Sequence, residues 1–383
     1  MSGRLVRRLR PHGESVFATM SGLALEHGAV NLGQGFPDDP APQAVVEAAR
    51  AALAAGHNQY PPSRGVPELR EAVARHQREH YGLPVDPATG VAVTTGATGA
   101  LAASVLGLVE PGDEVVTFEP AYDAYAALVD LAGGTLRRVP LRAPDLTVDA
   151  DALAAACGPR TAVILLNSPH NPTGKVFTPA ELELVAEQAR RHDAVVVTDE
   201  VYEHMTFDGV PHVPMASLPG MWERTITISS AVKTFSVTGW KVGWASGAPE
   251  LVDVVASTSQ WLTFSGGAAY QPAVAEGLGR IGELVDPLTR ELGRRRDLLV
   301  DGLRAAGLEP LVPQGGYFVV ADAAPIGVSD AMAWCLEIPE RLGVAAVPVS
   351  AFCESPAGVE SLVRFAFCKS EDRIREGTAR LRA

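Results

Sequence analysis

Short β-branched runs alternate with longer helical patterns through the middle of this chain, and that alternation restricts the fold more than any other feature. Strand candidates are residues 91–95, 114–119, 162–167, 194–199 and 225–229, with another near 242–246. Helical patterns fall between them, over 98–109, 122–132 and 179–192. Strand–helix alternation at this spacing predicts βαβ units on a mostly parallel sheet, an α/β fold. Runs such as AVILL and AVVV fit strands covered on both faces. A charge-laced helix over 289–306 leaves this region, and QGGYFVV and LVRFAF follow as a second set of elements. With 383 residues, two domains are expected. The predicted division is 1–37 as an N-terminal arm and part of a smaller α+β domain, 38–285 as the large domain, and 286–383 as the rest of the small one.

The net charge of −13 argues against nucleic acid or an anionic membrane as the main partner. Arg4, Arg7, Arg8 and Arg10 cluster at the start without interleaved aromatics, and read as a solvated arm. The four cysteines, Cys157, Cys335, Cys353 and Cys368, form no CxxC pair, which fits reduced thiols better than a disulfide frame or zinc site. The start lacks the apolar core of a signal peptide, and no run approaches the roughly 18–20 apolar residues of a membrane helix. A cytoplasmic location is expected.

Ligands of open α/β sheets bind beyond the carboxyl ends of the strands, and the unusual polar residues fall there. Gly96-Ala97-Thr98 follows one strand and could offer backbone N–H groups to a phosphate, or be an ordinary turn with a threonine cap. Tyr122 follows another strand, and the turn-rich SPHNPTG, with Asn171 between two prolines, a third. Asp199 ends AVVVTD, where a buried carboxylate needs either a cationic ligand or a role as a helix cap. Tyr202 lies three residues on. Lys233, in SSAVKTFSVTGWKVGW, sits among small, hydroxylated and aromatic residues that can lower an amine's pKa. Arg364 in LVRFAF is an arginine among apolar strand residues, matched to a carboxylate ligand or to an internal salt bridge. No Walker lysine and no GxGxxG after a strand are present, which disfavours nucleoside triphosphates and a nicotinamide dehydrogenase.

Taken together, NLGQGFPD, NQYPP, SPHNPTG, TDEVYEH, SSAVKTFSVTGWKVGW and LVRFAFCK resemble the class I aminotransferases, in the expected order over nearly the whole chain. The wording is similar both to the kynurenine aminotransferase (glutamine transaminase K) group and to bacterial N-succinyldiaminopimelate aminotransferases. The resemblance implies a fold-type I, pyridoxal 5'-phosphate-dependent transferase with a seven-stranded-type sheet. It implies that Lys233 joins the cofactor aldehyde and then shuttles a proton. Asp199 would pair with the pyridine nitrogen, Asn171 and Tyr202 with the phenolic oxygen, and Tyr122 would stack on the ring. The phosphate would meet Ala97, Thr98, Ser230 and Lys241, with Tyr60 reaching in from a second subunit of a homodimer. Arg364 would clamp the substrate carboxylate, assisted by Asn171 and Gly35, with Phe17 and Phe264 on the substrate side. Thr98 replaces a family tyrosine, Ser265 a histidine, and Lys241 an arginine. With Phe17 in the place of a larger aromatic residue, the pocket wall looks less aromatic than in the kynurenine group.

The implied reaction is a two-stage, ping-pong exchange of an amino group between an amino acid and a 2-oxo acid. The alternative on the same fold is a carbon–sulfur β-lyase. An aminotransferase-like regulator is a third reading, disfavoured by the acidic charge and the lack of an added DNA-binding segment.

Overall fold

The computed structural model describes residues 5–13 and 15–382; Arg4 of the basic arm lies outside them. Val30–Asn31 (β1) is a short strand of the N-terminal segment. The central sheet follows, formed by Val91–Thr95 (β2), Glu114–Glu119 (β3), Thr135–Pro140 (β4), Thr161–Asn167 (β5), Val195–Asp199 (β6), Thr225–Ser230 (β7) and Val242–Gly247 (β8). Its order is β2-β8-β7-β6-β5-β3-β4. All neighbours are parallel except β8, which runs antiparallel to both β2 and β7. The expected α/β class and mostly parallel sheet are present. β4 is an additional strand at the sheet edge, and in TLRRVP exposed Thr135 and Arg137 alternate with half-buried Leu136 and Arg138 instead of forming an apolar run.

Alternation along the strands divides the sheet's two faces. Val115, Val163, Leu165, Val197, Ile226 and Ile228 belong to one core, shared with the helices Gly96–Leu108, Ala124–Ala132 and Pro249–Leu262. Val116, Ile164, Leu166 and Val196 point the other way, onto the helix Pro179–His192. That helix starts where its sequence says it should. Thr178 and Glu181 form a reciprocal capping box, with Pro179 in the first turn. The helix expected over 98–109 begins at Gly96, and the one over 289–306 begins at Asp286.

Beyond the helix Asp286–Ala305 lie Glu309–Leu311 (β9), Phe318–Asp322 (β10), Val344–Ala345 (β11), Val347–Pro348 (β12) and Leu362–Ala366 (β13). They give an antiparallel sheet of order β12-β13-β10-β9, while β1 pairs with β11. One apolar core joins these elements to Met20, Val30 and Leu32 of the N-terminal segment. Arg364 is thereby carried on β13, opposite Val320 and Val347.

Candidate active site

The carboxyl ends of β2, β3, β5, β6 and β7 converge on one cavity of about 340 Å³, within the usual range for small-ligand sites. Gly35, Ala97, Thr98, Tyr122, Asn171 and Asp199 line it, as do Tyr202, Ser230, Lys233 and Lys241. Because β8 is antiparallel, its starting end lies at this same edge, which is how Lys241 arrives there. Gln34 and Phe36 flank Gly35 and close the cavity from the N-terminal segment.

At one end, the helix Gly96–Leu108 opens without a side-chain cap on its first turn. The threonine cap that a plain turn would show is absent, and the first-turn N–H groups stay available for an anion. Gly96 has φ +69°, and a Cβ there would come within 3.3 Å of Lys241 Nζ. Gly243 lets β8 approach this turn, since an added Cβ would lie 2.5 Å from the Gly96 carbonyl carbon. The Ser230 hydroxyl donates to Val242 O at 3.1 Å and accepts from Val232 N–H at 3.2 Å, capping the short helix Ala231–Thr234 that carries Lys233.

Deeper in the cavity, Asp199 is buried, and no helix follows it to be capped. The Tyr125 hydroxyl donates to its Oδ2 at 2.9 Å, and Val201 N–H approaches Oδ1 at 3.5 Å. Burial raises its pKa to about 6, against the lowering effect of these hydrogen bonds and of Lys233. Lys233 Nζ donates to Tyr317 Oη at 2.5 Å and to Gly35 O at 3.3 Å. Burial lowers its pKa to about 8, so a substantial fraction is neutral amine near physiological pH. Burial also raises the phenol of Tyr122 to about 12, and that of Tyr202 further.

Arg364 is fully buried, and its ring contacts replace the salt bridge considered from sequence. Its guanidinium lies 3.9 Å from the Phe318 ring centroid and 4.9 Å from those of Phe17 and Phe352. Nη1 donates to Asn171 Oδ1 at 2.9 Å and Nη2 to Gly33 O at 2.7 Å. Nε has no partner among the described residues. Burial lowers its pKa to about 10, which still leaves it cationic at neutral pH. Asn171 is oriented in turn by Asn167, whose Oδ1 accepts the Asn171 N–H at 2.7 Å while Nδ2 donates to Asp199 O at 2.8 Å.

Tyr60 and Phe264 are not brought to this cavity within one chain. They pack edge to face, 5.6 Å between centroids, and are 83% and 45% exposed. Sequence reasoning missed Tyr125 and Tyr317. Tyr125 was within reach, one helical turn beyond Tyr122, whereas Tyr317 is 84 residues from the amine it contacts.

A buried amine of lowered pKa, a buried carboxylate, and an uncapped helix start beside a lysine suit a ligand with an aldehyde, a cationic ring nitrogen and a phosphate. The family model for aminotransferase class I and II matches residues 28–381. The chain belongs to the class I and II aminotransferases. It is 50% identical to a Mycobacterium tuberculosis protein named as a probable N-succinyldiaminopimelate aminotransferase, over 98% of this chain and 97% of that one. A solved N-succinyldiaminopimelate aminotransferase from Mycobacterium tuberculosis superposes with TM-score 0.97 at 50% identity, covering 98% of this chain and 99% of that one. The methionine aminotransferase of Escherichia coli is 37% identical over 97% of this chain and 96% of its own length. The aminotransferase is thus a fold-type I, pyridoxal-phosphate-dependent enzyme that exchanges amino groups between amino acids and 2-oxo acids.

Proposed function

We propose that this aminotransferase uses N-succinyldiaminopimelate as an amino donor, with Lys233 as the catalytic amine and Arg364 as the receiver of the substrate α-carboxylate. The observation that carries the site reading is the convergence of Lys233, Asp199 and Asn171 on one cavity, with Arg364 hydrogen-bonded to Asn171 and its Nε without a partner among the described residues. Support for the donor comes from the 50% identity to the mycobacterial protein of that name.

Bound pyridoxal phosphate supplies an aldehyde for the amine and an electron-withdrawing cationic ring. Asp199 would keep the ring nitrogen protonated, its carboxylate oriented by the Tyr125 hydroxyl. Asn171 and Tyr202 would take the phenolic oxygen, with Tyr122 against the ring. Ala97 and Thr98 N–H groups, Ser230 and Lys241 would hold the phosphate. Lys233 Nζ would accept the proton from the substrate Cα, and Tyr317 Oη and Gly35 O are its hydrogen-bond partners. Arg364, backed by Asn171, Gly35 and Phe17, orients the carboxylate so that the Cα–H bond faces that amine.

Tyr60 and Phe264 are read as elements of a homodimer interface that complete the neighbouring subunit's phosphate and substrate sites. Their exposure supports this, as does that of nearby Trp261, 84% exposed. The core joining Met20 and Leu32 to the C-terminal strands supports divisions near residues 37 and 285. The four free cysteines fit a cytoplasmic location, and no helix among the described residues is long and apolar enough to cross a membrane.

The test is a half-reaction without oxo acid: N-succinyldiaminopimelate, methionine and kynurenine are mixed singly with the loaded enzyme, and loss of the bound-cofactor absorbance is followed. N-succinyldiaminopimelate should react fastest; an equal or faster rate with either other donor overturns the substrate assignment. Borohydride reduction followed by peptide mapping should label Lys233, and Lys233→Ala should abolish turnover while remaining folded. A label elsewhere would refute the site.

A further inference from the structure

Behind the cofactor cavity lies a second group of chemistry-bearing side chains that amino transfer does not use. His76 comes from the helix Pro67–Tyr81, and Glu203 and His204 from the turn that follows β6. Their ligand atoms all lie within 4.8 Å of one another. His76 and Glu203 are 2% and 4% exposed, and His204 is half-buried. Strand alternation puts the group on the far side of the sheet edge. Ser230 faces the cofactor cavity, whereas Ser229 turns away and donates its hydroxyl to Glu203 Oε1.

Two features of the group bear on what it can hold. The Nε2 atoms of His76 and His204 face each other at 2.9 Å. One neutral imidazole donates and the other accepts across this contact, and with both nitrogens deprotonated the same pair is close enough to serve a single ion. Glu203 Oε2, enclosed beside them, has no partner within hydrogen-bond geometry among the described residues, although the Tyr81 phenol, raised by burial and by this carboxylate, lies beside it. A buried carboxylate oxygen without a donor calls for a cation. Two imidazole nitrogens and one carboxylate oxygen are the donor set of a three-ligand zinc site, with the fourth position left to water. Such an ion would sit about 2.0–2.2 Å from each donor.

We propose that His76, Glu203 and His204 form a binding site for a divalent transition-metal ion of the zinc class. The ion would tie the helix Pro67–Tyr81 to the turn carrying Tyr202, one residue before Glu203. Its role would be to hold that turn, away from the reacting atoms.

The holoenzyme, dialysed against a chelator, is titrated with Co2+ and then with Zn2+. One Co2+ per chain should bind with the visible ligand-field absorption of a low-coordinate nitrogen–oxygen site, and Zn2+ should displace it and raise the unfolding temperature. Glu203→Gln and His204→Asn should each weaken Co2+ binding at least about tenfold without changing the bound-cofactor spectrum. Absence of ligand-field absorption in the wild-type protein would overturn the proposal and leave a hydrogen-bonded histidine pair. So would Co2+ binding unchanged in His204→Asn. Either failure leaves the amino-transfer reading intact, since that reading rests on Lys233 and Arg364.

Discussion

Replacing Asp199 by Asn should have opposite effects on the cofactor-free and cofactor-loaded protein. In the cofactor-free chain, burial raises the carboxyl from its ordinary value of 3.8 to about 6. An acid whose native pKa is raised contributes stability that is fully present below the unfolded value and is lost as pH rises through the native one. The rise from 3.8 to about 6 corresponds in full to about 3 kcal/mol, at about 1.36 kcal/mol for each pH unit. Between pH 5 and pH 7.5 the contribution falls by about 1.4 kcal/mol. Asn keeps an acceptor for the Tyr125 hydroxyl but has no charge to bury. The stability difference, Asn variant minus wild type, should therefore grow by about that amount between the two pH values. Urea unfolding of both cofactor-free proteins at each pH measures it, and the other titrating groups cancel in the difference.

With cofactor bound, the sign reverses. In the proposed site the carboxylate would then face a cationic ring nitrogen, which Asn could not keep protonated. The variant should lose much of the stabilisation that cofactor gives the wild type, and kcat should fall by about two orders of magnitude or more. A constant stability difference between pH 5 and pH 7.5 would refute the argument, because it would mean that Asp199 does not titrate against burial. An equal cofactor-induced rise in unfolding temperature in the two proteins would refute the pairing.

Arg364→Ala should lower kcat/KM for α-amino acids by about a hundredfold, roughly 3 kcal/mol, the range expected when one partner of a buried charge pair is removed; an unchanged value for amino acids would remove Arg364 from substrate binding. Tyr317→Phe should lower kcat about tenfold with little change in KM, because Tyr317 contacts Lys233 Nζ; an α-deuterated donor should show a larger isotope effect, and a change confined to KM would point to binding instead. Gly243→Ala would place a methyl 2.5 Å from the Gly96 carbonyl carbon, so the phosphate turn must move. Its cofactor dissociation constant should rise about tenfold or more, some 1.4 kcal/mol, and unaltered cofactor affinity would detach this turn from the phosphate. Lys233→Met should remove a pH dependence of the cofactor-free protein: a base lowered from 10.5 to about 8 binds fewer protons when native. Wild-type stability should therefore rise relative to the variant from pH 8 to 10.5, and parallel urea titrations would expose a failure.

Much of this was legible in the sequence because it is local. AVILL, AVVV and TITISS announce buried strands, and the residues that close them, Asn167, Asp199 and Ser230, fall at the sheet edge by construction. β4 was not legible, because Arg137 and Arg138 interrupt it and an edge strand needs only one apolar face. The reversed direction of β8 was not legible either. The run Val242–Gly247 would fit a strand of either sense, and only pairing with β2 and β7 decides it. In the site, Lys233 and Asp199 lie in readable motifs, whereas Phe318 and Phe352 reach Arg364 only through β10–β13 pairing and the turn after β12. The His76–His204 pair spans 128 residues, a separation at which no spacing rule operates.

The cofactor-free cavity is a poor arrangement for stability, and that is informative. It holds a lysine pushed toward neutrality, an acid pushed toward protonation and a guanidinium among aromatic rings whose Nε has no partner among the described residues. Each is a cost that the protein's own groups leave partly uncompensated, and such costs persist where a ligand removes them. A ligand bearing an aldehyde, a cationic nitrogen and a phosphate would relieve the amine, the acid and the helix start together, while leaving Arg364 for a second molecule. The separation matters. A cofactor that also satisfied Arg364 would stabilise the protein further and block the position that an amino acid's carboxylate must take.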